Sequence, residues 1–239
     1  MGTIPPTVAR MWGRDTSSRH GPRPSLDVPG IVAAAIAVAD ADGLAGVRMS
    51  SVAAALGVAP MSLYRYVGSK DELLVLMADA AVPDPPPPAG HWRDYLTVWT
   101  RANRDFLIAR PWQLELTRRT PPTGPRTLLW LDRALAALDG TGLPAQAGIA
   151  IATTLTGYAA SQAALVASMV PQEALEGPAD YGAMLTEVLD PAVYPALSAA
   201  VAGGAFGANP DWIDDADFLL GLDLILRGVE SIAREFTAG

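Results

Sequence analysis

From residue 28 onward, apolar side chains recur every three or four positions rather than every two. Residues 28–41 place Ile31, Ala35 and Val38 on one stripe, with Val32 and Ile36 beside them, the spacing of an amphipathic helix. Asp27 suits an N-cap, Pro29 is acceptable in a first turn, and Gly43 suits a C-terminal stop. The same periodicity predicts helices over 92–109, 127–138, 145–168, 181–189 and 214–236. Few stretches alternate at period two, so the expected fold is all-α.

Three segments interrupt the pattern. Residues 1–25 are rich in Pro, Gly, Ser and Arg without periodicity and read as a flexible basic arm. The tract Pro83-Asp84-Pro85-Pro86-Pro87-Pro88 cannot be helical, because each proline removes an amide donor and restrains its predecessor. It should act as a stiff spacer. Gly203-Gly204 through Asn209-Pro210 reads as a second loop. The expected division is an arm over 1–25, a small head over 26–82, a proline-rich connector over 83–91 and a larger helical body over 92–239.

The sharpest local signal lies at residues 49–67. A short helix with Val52, Ala53 and Leu56 inward stops at Gly57, and Val58 plugs the turn. A second helix begins near Pro60, where a missing amide costs little. Leu63 and Val67 face inward, which leaves Met61, Ser62, Arg65 and Tyr66 on the outward face. Two helices joined by a glycine turn, with polar and aromatic groups outward on the second, make a helix-turn-helix. An ordinary helical hairpin whose tyrosines serve packing fits the same spacing.

Residues 27–82 resemble the DNA-binding domain of tetracycline-repressor (TetR) family regulators. The resemblance rests on Ile31-Val32-Ala-Ala-Ala-Ile36, Asp42-Gly43-Leu44, Val47 to Ala53, Leu56-Gly57-Val58, Leu63-Tyr64-Arg65-Tyr66-Val67 and Ser69-Lys70-Asp71-Glu72-Leu73-Leu74. Trp92-Arg93, Arg110-Pro111-Trp112 and Phe218 to Glu230 are similar to the family's C-terminal ligand and dimerisation domain. The resemblance implies a three-helix head and a homodimeric, sequence-specific repressor. Such a repressor leaves a palindromic operator when a small hydrophobic effector binds, the effector moving helix 68–82.

Within the head, Pro60, Met61 and Ser62 open the expected recognition helix, the end that enters the major groove in this motif. Arg65 can make a bidentate guanine contact, and Tyr64 and Tyr66 can reach phosphates or cover a thymine methyl. Lys70 opens the next helix, where an ammonium and free amides can both meet a phosphate. Arg48 stands where the family has Thr, and Ser50-Ser51 where it has a basic pair. Ser50 is then the expected cap, with Arg48 free to bind phosphate. Solvated surface charge accounts equally for Arg48 and Arg65.

In the body, Trp99, Asn103 and Phe106 share one helical face. Trp112, Trp130, Thr154, Tyr158 and Gln162 complete an expected effector cavity of large rings with a few amides and hydroxyls. Aromatics at helical spacing are also plain core. Helix 214–236 has a broad apolar stripe and helix 145–168 is rich in Ala and Gly. These two are expected to pair with their twofold copies as a four-helix bundle through Ala152, Ala160, Leu222, Ile225 and Val229. Burial inside one monomer is the alternative.

Composition narrows the chemistry. The 239 residues contain no Cys and two His, which removes disulfides, thiol nucleophiles and Cys-based zinc, and leaves His20 and His91 as the only imidazoles. No metal or cofactor is expected. No phosphate loop, GxSxG or HExxH is present, so an enzyme is disfavoured, and a ligand carrier without operator binding is the nearer alternative. The net charge is −8, yet residues 1–70 carry +3 and the remainder −11. A basic head on an acidic body is the distribution expected when only the head meets a polyanion, here duplex DNA. Charged and glycine breaks argue against a membrane span, and the N-terminus lacks a signal core, so a cytoplasmic protein is expected.

Overall fold

The structure is a computed structural model and describes residues 4–14, 26–116, 122–168, 178–206 and 215–238. Among these, every regular element is a helix. The head comprises α1 (Pro6–Met11), α2 (Val28–Gly46), α3 (Met49–Ala55), α4 (Pro60–Leu63) and α5 (Lys70–Ala80). The body comprises α6 (Trp92–Ala109), α7 (Trp112–Leu116), α8 (Pro125–Leu138), α9 (Ala145–Ser168), α10 (Pro178–Val188), α11 (Pro195–Ala202) and α12 (Asp215–Ala238).

Local chemistry sets the head's boundaries. Asp27 Oδ1 accepts the Gly30 amide at 2.8 Å and caps α2. Gly43 breaks the same helix with φ +68°, a left-handed setting that costs glycine little, and one further turn runs to Gly46. Gly57, also at φ +68°, makes the turn between α3 and α4. Ile31, Val32, Ala35 and Ala39 of α2 close over Val52, Ala53, Leu63, Val67, Leu73 and Met77 as one core.

Residues 6–11 depart from the expected arm, because they form a helix packed on α5. Arg14 ends this described stretch, while Arg19 and Arg23 lie outside the described residues. The connector is extended and pinned at several points. Trp130 Nε1 donates to the Pro83 carbonyl at 2.8 Å, Tyr95 Oη to Pro86 at 3.0 Å, and Arg126 to Val82 at 3.0 Å.

Tyr95, Leu96 and Trp99 of α6 build the body core with Trp130, Ala134 and Leu138 of α8. Ile151, Ala152 and Leu155 of α9 join them, as do Phe218, Leu222, Leu226 and Val229 of α12. Helices α10 and α11 pack mainly on each other, with Tyr181 edge-on to Phe206 at 5.6 Å. Two helices, α2 and α9, are long and apolar enough to cross a membrane, which the breaks in the sequence had argued against. Each turns its most buried side into one of these two cores.

Candidate functional site

The helix-turn-helix presents part of the expected surface, with Tyr66 packed against the head core instead. Leu63 and Val67 are fully buried and anchor α4 from beneath, while Met61 stays 74% and Tyr64 45% exposed. Pro60 and Arg65 are exposed beside them, Ser62 and Tyr66 are half-buried, and Lys70 is exposed at the first turn of α5. Burying Leu63 and Val67, one turn apart, sends the positions between them outward. At α5, Ser69 Oγ accepts the Glu72 amide at 3.0 Å and Glu72 Oε2 accepts the Gly68 amide at 2.8 Å.

The start of α3 corrects the expected cap. Ser51, not Ser50, does the work, its Oγ accepting the Arg48 amide at 3.0 Å and donating to the Gly46 carbonyl at 2.7 Å. Serine at the third helical position can reach back to the cap residue, and an arginine at the cap has no acceptor to offer. Arg48 and Ser50 are left exposed, and with Asp42 and Ser51 they line a shallow cleft of about 510 Å³ on the head.

The expected effector residues do not converge on one cavity. Trp112, at the start of α7, turns its ring out of the body into the head core, with Nε1 donating to Asp40 Oδ1 at 2.8 Å. The two residues of turn after α6 aim this ring at α2, which the spacing of tryptophans could not disclose. Trp99 and Trp130 are core residues, 5.5 Å apart and tilted by 60°, with Trp99 Nε1 donating to the Trp130 carbonyl at 3.1 Å. Both indole donors are thereby spent on backbone acceptors. Thr154 faces outward on α9 and its hydroxyl returns to the Ala150 carbonyl at 2.9 Å.

Asn103 and Phe106 remain half-buried on α6, as do Tyr158 and Gln162 on α9. Tyr158 stacks on Phe218 at 5.4 Å and donates to its carbonyl at 2.8 Å. Burial pushes the Tyr158 phenol above its ordinary value, with Arg104 opposing, so it stays a donor. Sequence reasoning missed Arg104, which is buried with its guanidinium 4.1 Å over the Phe218 ring. The available signal was one cation among the inward positions of α6, between Trp99 and Leu107.

A different cleft, of about 720 Å³, opens where the start of α6 meets the ends of α8 and α12. His91, Trp92, Tyr95, Asp139, Thr141 and Arg234 are among its lining residues, and none of the expected effector residues is. Among the described residues, no three His, Asp or Glu side chains converge as metal ligands.

Three of the expected dimer residues are corrected too. Ala152, Leu222 and Val229 are buried in the chain's own core, with Ala160 and Ile225 half-buried. The outward ridges are instead Ile149, Thr153, Gly157, Ser161 and Leu165 on α9, and Leu220, Leu224, Gly228, Ile232 and Phe236 on α12, all exposed. Each ridge steps by four residues, the row that interdigitates in the commonest class of helix packing.

Head and body are joined through polar contacts around α5. Asp79, near the end of α5, is buried and accepts the Thr127 amide and hydroxyl, each at 2.9 Å, and the Arg126 amide at 3.3 Å. A residue of the head thus caps a helix of the body, where Gly124 carries no capping side chain. A Cβ on Gly124 would collide with the Asp79 carboxyl, so glycine is needed there. Gln113 Nε2 donates to the Ala78 carbonyl at 3.1 Å.

Arg110 Nε pairs with Asp40 Oδ1 at 3.1 Å. Partial burial raises the Asp40 carboxyl, but hydrogen bonds from Arg110 and Trp112, with the Arg110 charge, outweigh it and hold the group below its ordinary value. A depressed carboxylate stabilises the fold above its unfolded-state value and loses that contribution as pH falls through the lower folded one. Stability of the wild type is therefore expected to fall with an extra proton-linked slope below about pH 4 that Asp40→Asn lacks. Urea unfolding across pH 2.5–6 checks this, and parallel curves would refute it.

Comparison with known proteins bears on these surfaces. Residues 31–77 match the family model described as bacterial regulatory proteins, tetR family, and residues 84–233 match the tetracyclin repressor-like C-terminal domain. The chain is 31% identical to the HTH-type transcriptional repressor DrrR1 of Streptomyces coeruleorubidus over 98% of this chain and 88% of that protein. The crystal structure of apo ActR from Streptomyces coelicolor superposes with TM-score 0.73 at 26% identity, covering 90% of this chain and 99% of that one. ActR in complex with actinorhodin superposes with TM-score 0.72 at 26% identity, over 85% and 94% of the two chains.

Proposed function

The chain belongs to the TetR family of bacterial transcriptional regulators, and from that premise we propose that it is a homodimeric repressor of the cytoplasm. It binds a palindromic operator and leaves it when a small, largely hydrophobic molecule enters the helical body. The observation that carries the DNA-reading half is α4. A short helix bolted down by Leu63 and Val67 holds Met61 and Tyr64 in solvent, where no packing role explains them. One such helix contacts few base pairs, and a twofold dimer supplies two half-sites about a helical turn apart. The apolar ridge on α12 and the small-sided row on α9, both exposed, support that dimer.

Effector response draws support from the half-buried Asn103, Phe106, Tyr158 and Gln162, and from ActR, which is described bound to actinorhodin and to (S)-DNPA. The effector acts by preferring one setting of α5 against the body over another. The polar ties at Asp79 and Asp40 make that setting a discrete one.

Selection of duplexes from a random library, followed by affinity against salt, tests the reading. A two-half-site palindrome with a steep negative salt slope is expected. No enrichment from a folded dimer would favour a ligand carrier, a reading that the loss of the basic pair at Ser50-Ser51 keeps in view. On the selected duplex, Lys70→Ala should weaken all sequences alike and reduce the salt slope by about one. Arg65→Ala should instead cost about 1–3 kcal/mol and relax the preference at one base position. Identical behaviour of the two variants would refute the division of roles.

A further inference from the structure

The N-terminal arginine Arg10 is spent on the protein itself. Its Nη1 donates to Glu72 Oε1 at 2.7 Å and to the Tyr66 carbonyl at 3.0 Å, and Thr7 Oγ1 donates to the same Glu72 oxygen at 3.3 Å. Glu72 meanwhile holds the Gly68 amide through its other oxygen. The turn that leaves the recognition helix is therefore gripped at Tyr66 and at Gly68 by one ion pair. That pair is mostly sheltered, with side-chain exposures of 25% and 14%, so solvent screens it less than a surface pair.

The same C-terminal end of α1, two residues past Arg10, also reaches the body. Trp12 Nε1 donates to the Thr123 carbonyl at 2.9 Å. Thr123 precedes Gly124, the residue that opens α8 beneath the Asp79 carboxylate. Between Arg10 and Trp12, Met11 rests on the head core. With six residues and none of them fully buried, α1 has no stability of its own and exists through these contacts. Trp12 is 43% exposed, so its tie can open without repacking a core.

We propose that residues 10–12, at the end of α1, form a strap that makes the setting of the recognition turn depend on Thr123 at the start of α8, with Arg10 and Trp12 as its positioning residues. The contacts lie in series: recognition turn, Arg10, Met11, Trp12, Thr123. A shift of α8 reaches α4 through this strap as well as through α5. The strap rests on the reading of α4 as the DNA-reading helix. Its test uses the free full-length protein, so a failure of operator binding and a failure of the strap are separate results.

Amide hydrogen exchange over residues 62–68 is the readout, in Arg10→Met, Arg10→Lys, Trp12→Phe and the Arg10→Met/Trp12→Phe double variant. Trp12→Phe keeps a ring and removes only the donor to Thr123. Arg10→Met and Trp12→Phe are each expected to speed exchange at 62–68 by about tenfold, the loss of one charge-assisted or well-formed hydrogen bond. The double variant should match the larger single, because one break already frees a series linkage. Arg10→Lys, which can donate from one nitrogen to both acceptors, should restore wild-type rates, and exchange over 96–107 in the body should not change.

Wild-type rates at 62–68 in Trp12→Phe would overturn the strap and leave α1 a local staple. Effects of the two singles that multiply in the double would overturn it too, since they would be independent. So would a rise over 96–107 equal to that at 62–68.

Discussion

Leu224→Glu is expected to split the dimer and to lower operator affinity by at least about a hundredfold, because half of the base contacts then act without their twin. Leu224 is 65% and Leu220 62% exposed, the two most exposed of the large apolar side chains on α12. They continue through Gly228 to Ile232 and Phe236 in steps of four, and a row with the same step runs along α9. Rows of this kind interdigitate at a crossing of about −50°. A Cβ on Gly157 or on Gly228 meets nothing within 4 Å, so the bare backbone there is open to a neighbouring helix.

A twofold interface meets each residue twice, so one glutamate brings two buried charges without partners. Leu222→Ala is the contrast, since Leu222 is buried in the chain's own core. It should cost about 2–5 kcal/mol of folding stability and leave association intact. Analytical ultracentrifugation and operator titration separate the two. A Leu224→Glu dimer of wild-type affinity would refute this interface.

Asp79→Ala is the second large effect, expected to destabilise the chain by about 2–4 kcal/mol. The carboxylate is buried and serves two amides and one hydroxyl of the first turn of α8. Alanine leaves all three without an acceptor in a place water reaches poorly, and unmade bonds to buried donors cost more than made ones gain. Gly124→Ala attacks the same joint from the other side, by placing a methyl group where the Asp79 carboxyl stands. Urea unfolding of both variants checks the joint. Because the cap crosses from head to body, both variants should also respond less to effector than their remaining folded fraction predicts. A loss under about 0.5 kcal/mol, the level of an ordinary surface substitution, would refute it.

Local rules made much of this chain legible. Asp27, Gly43 and Gly57 mark helix ends because capping and positive φ are properties of single residues and their neighbours. The inward pair Leu63 and Val67 identified the outward face of α4 for the same reason. Short helices without a glycine-turn signature, α1 and α7, were not legible. Six residues in α1 and five in α7 offer less than two helical turns of periodicity, and their helicity comes from docking on α5 and α2.

What the sequence determined by itself was the all-α class, the head with its helix-turn-helix, and the outward side chains of α4. All of these follow from interactions within about a turn of helix. Which face of a long helix lies inside was decided by the tertiary structure alone. Helix α12 is apolar both at Leu222, Leu226 and Val229 and at Leu220, Leu224 and Ile232. Leu220 and Leu222 point about 200° apart, and periodicity gives no reason to prefer either as core. The choice fell to the neighbours, since Leu222 joins Trp99, Trp130 and Leu155 in one core and Leu224 is left in solvent. Trp112 and Asp79 entered the head–body joint in the same way, through partners dozens of residues distant that no local pattern encodes.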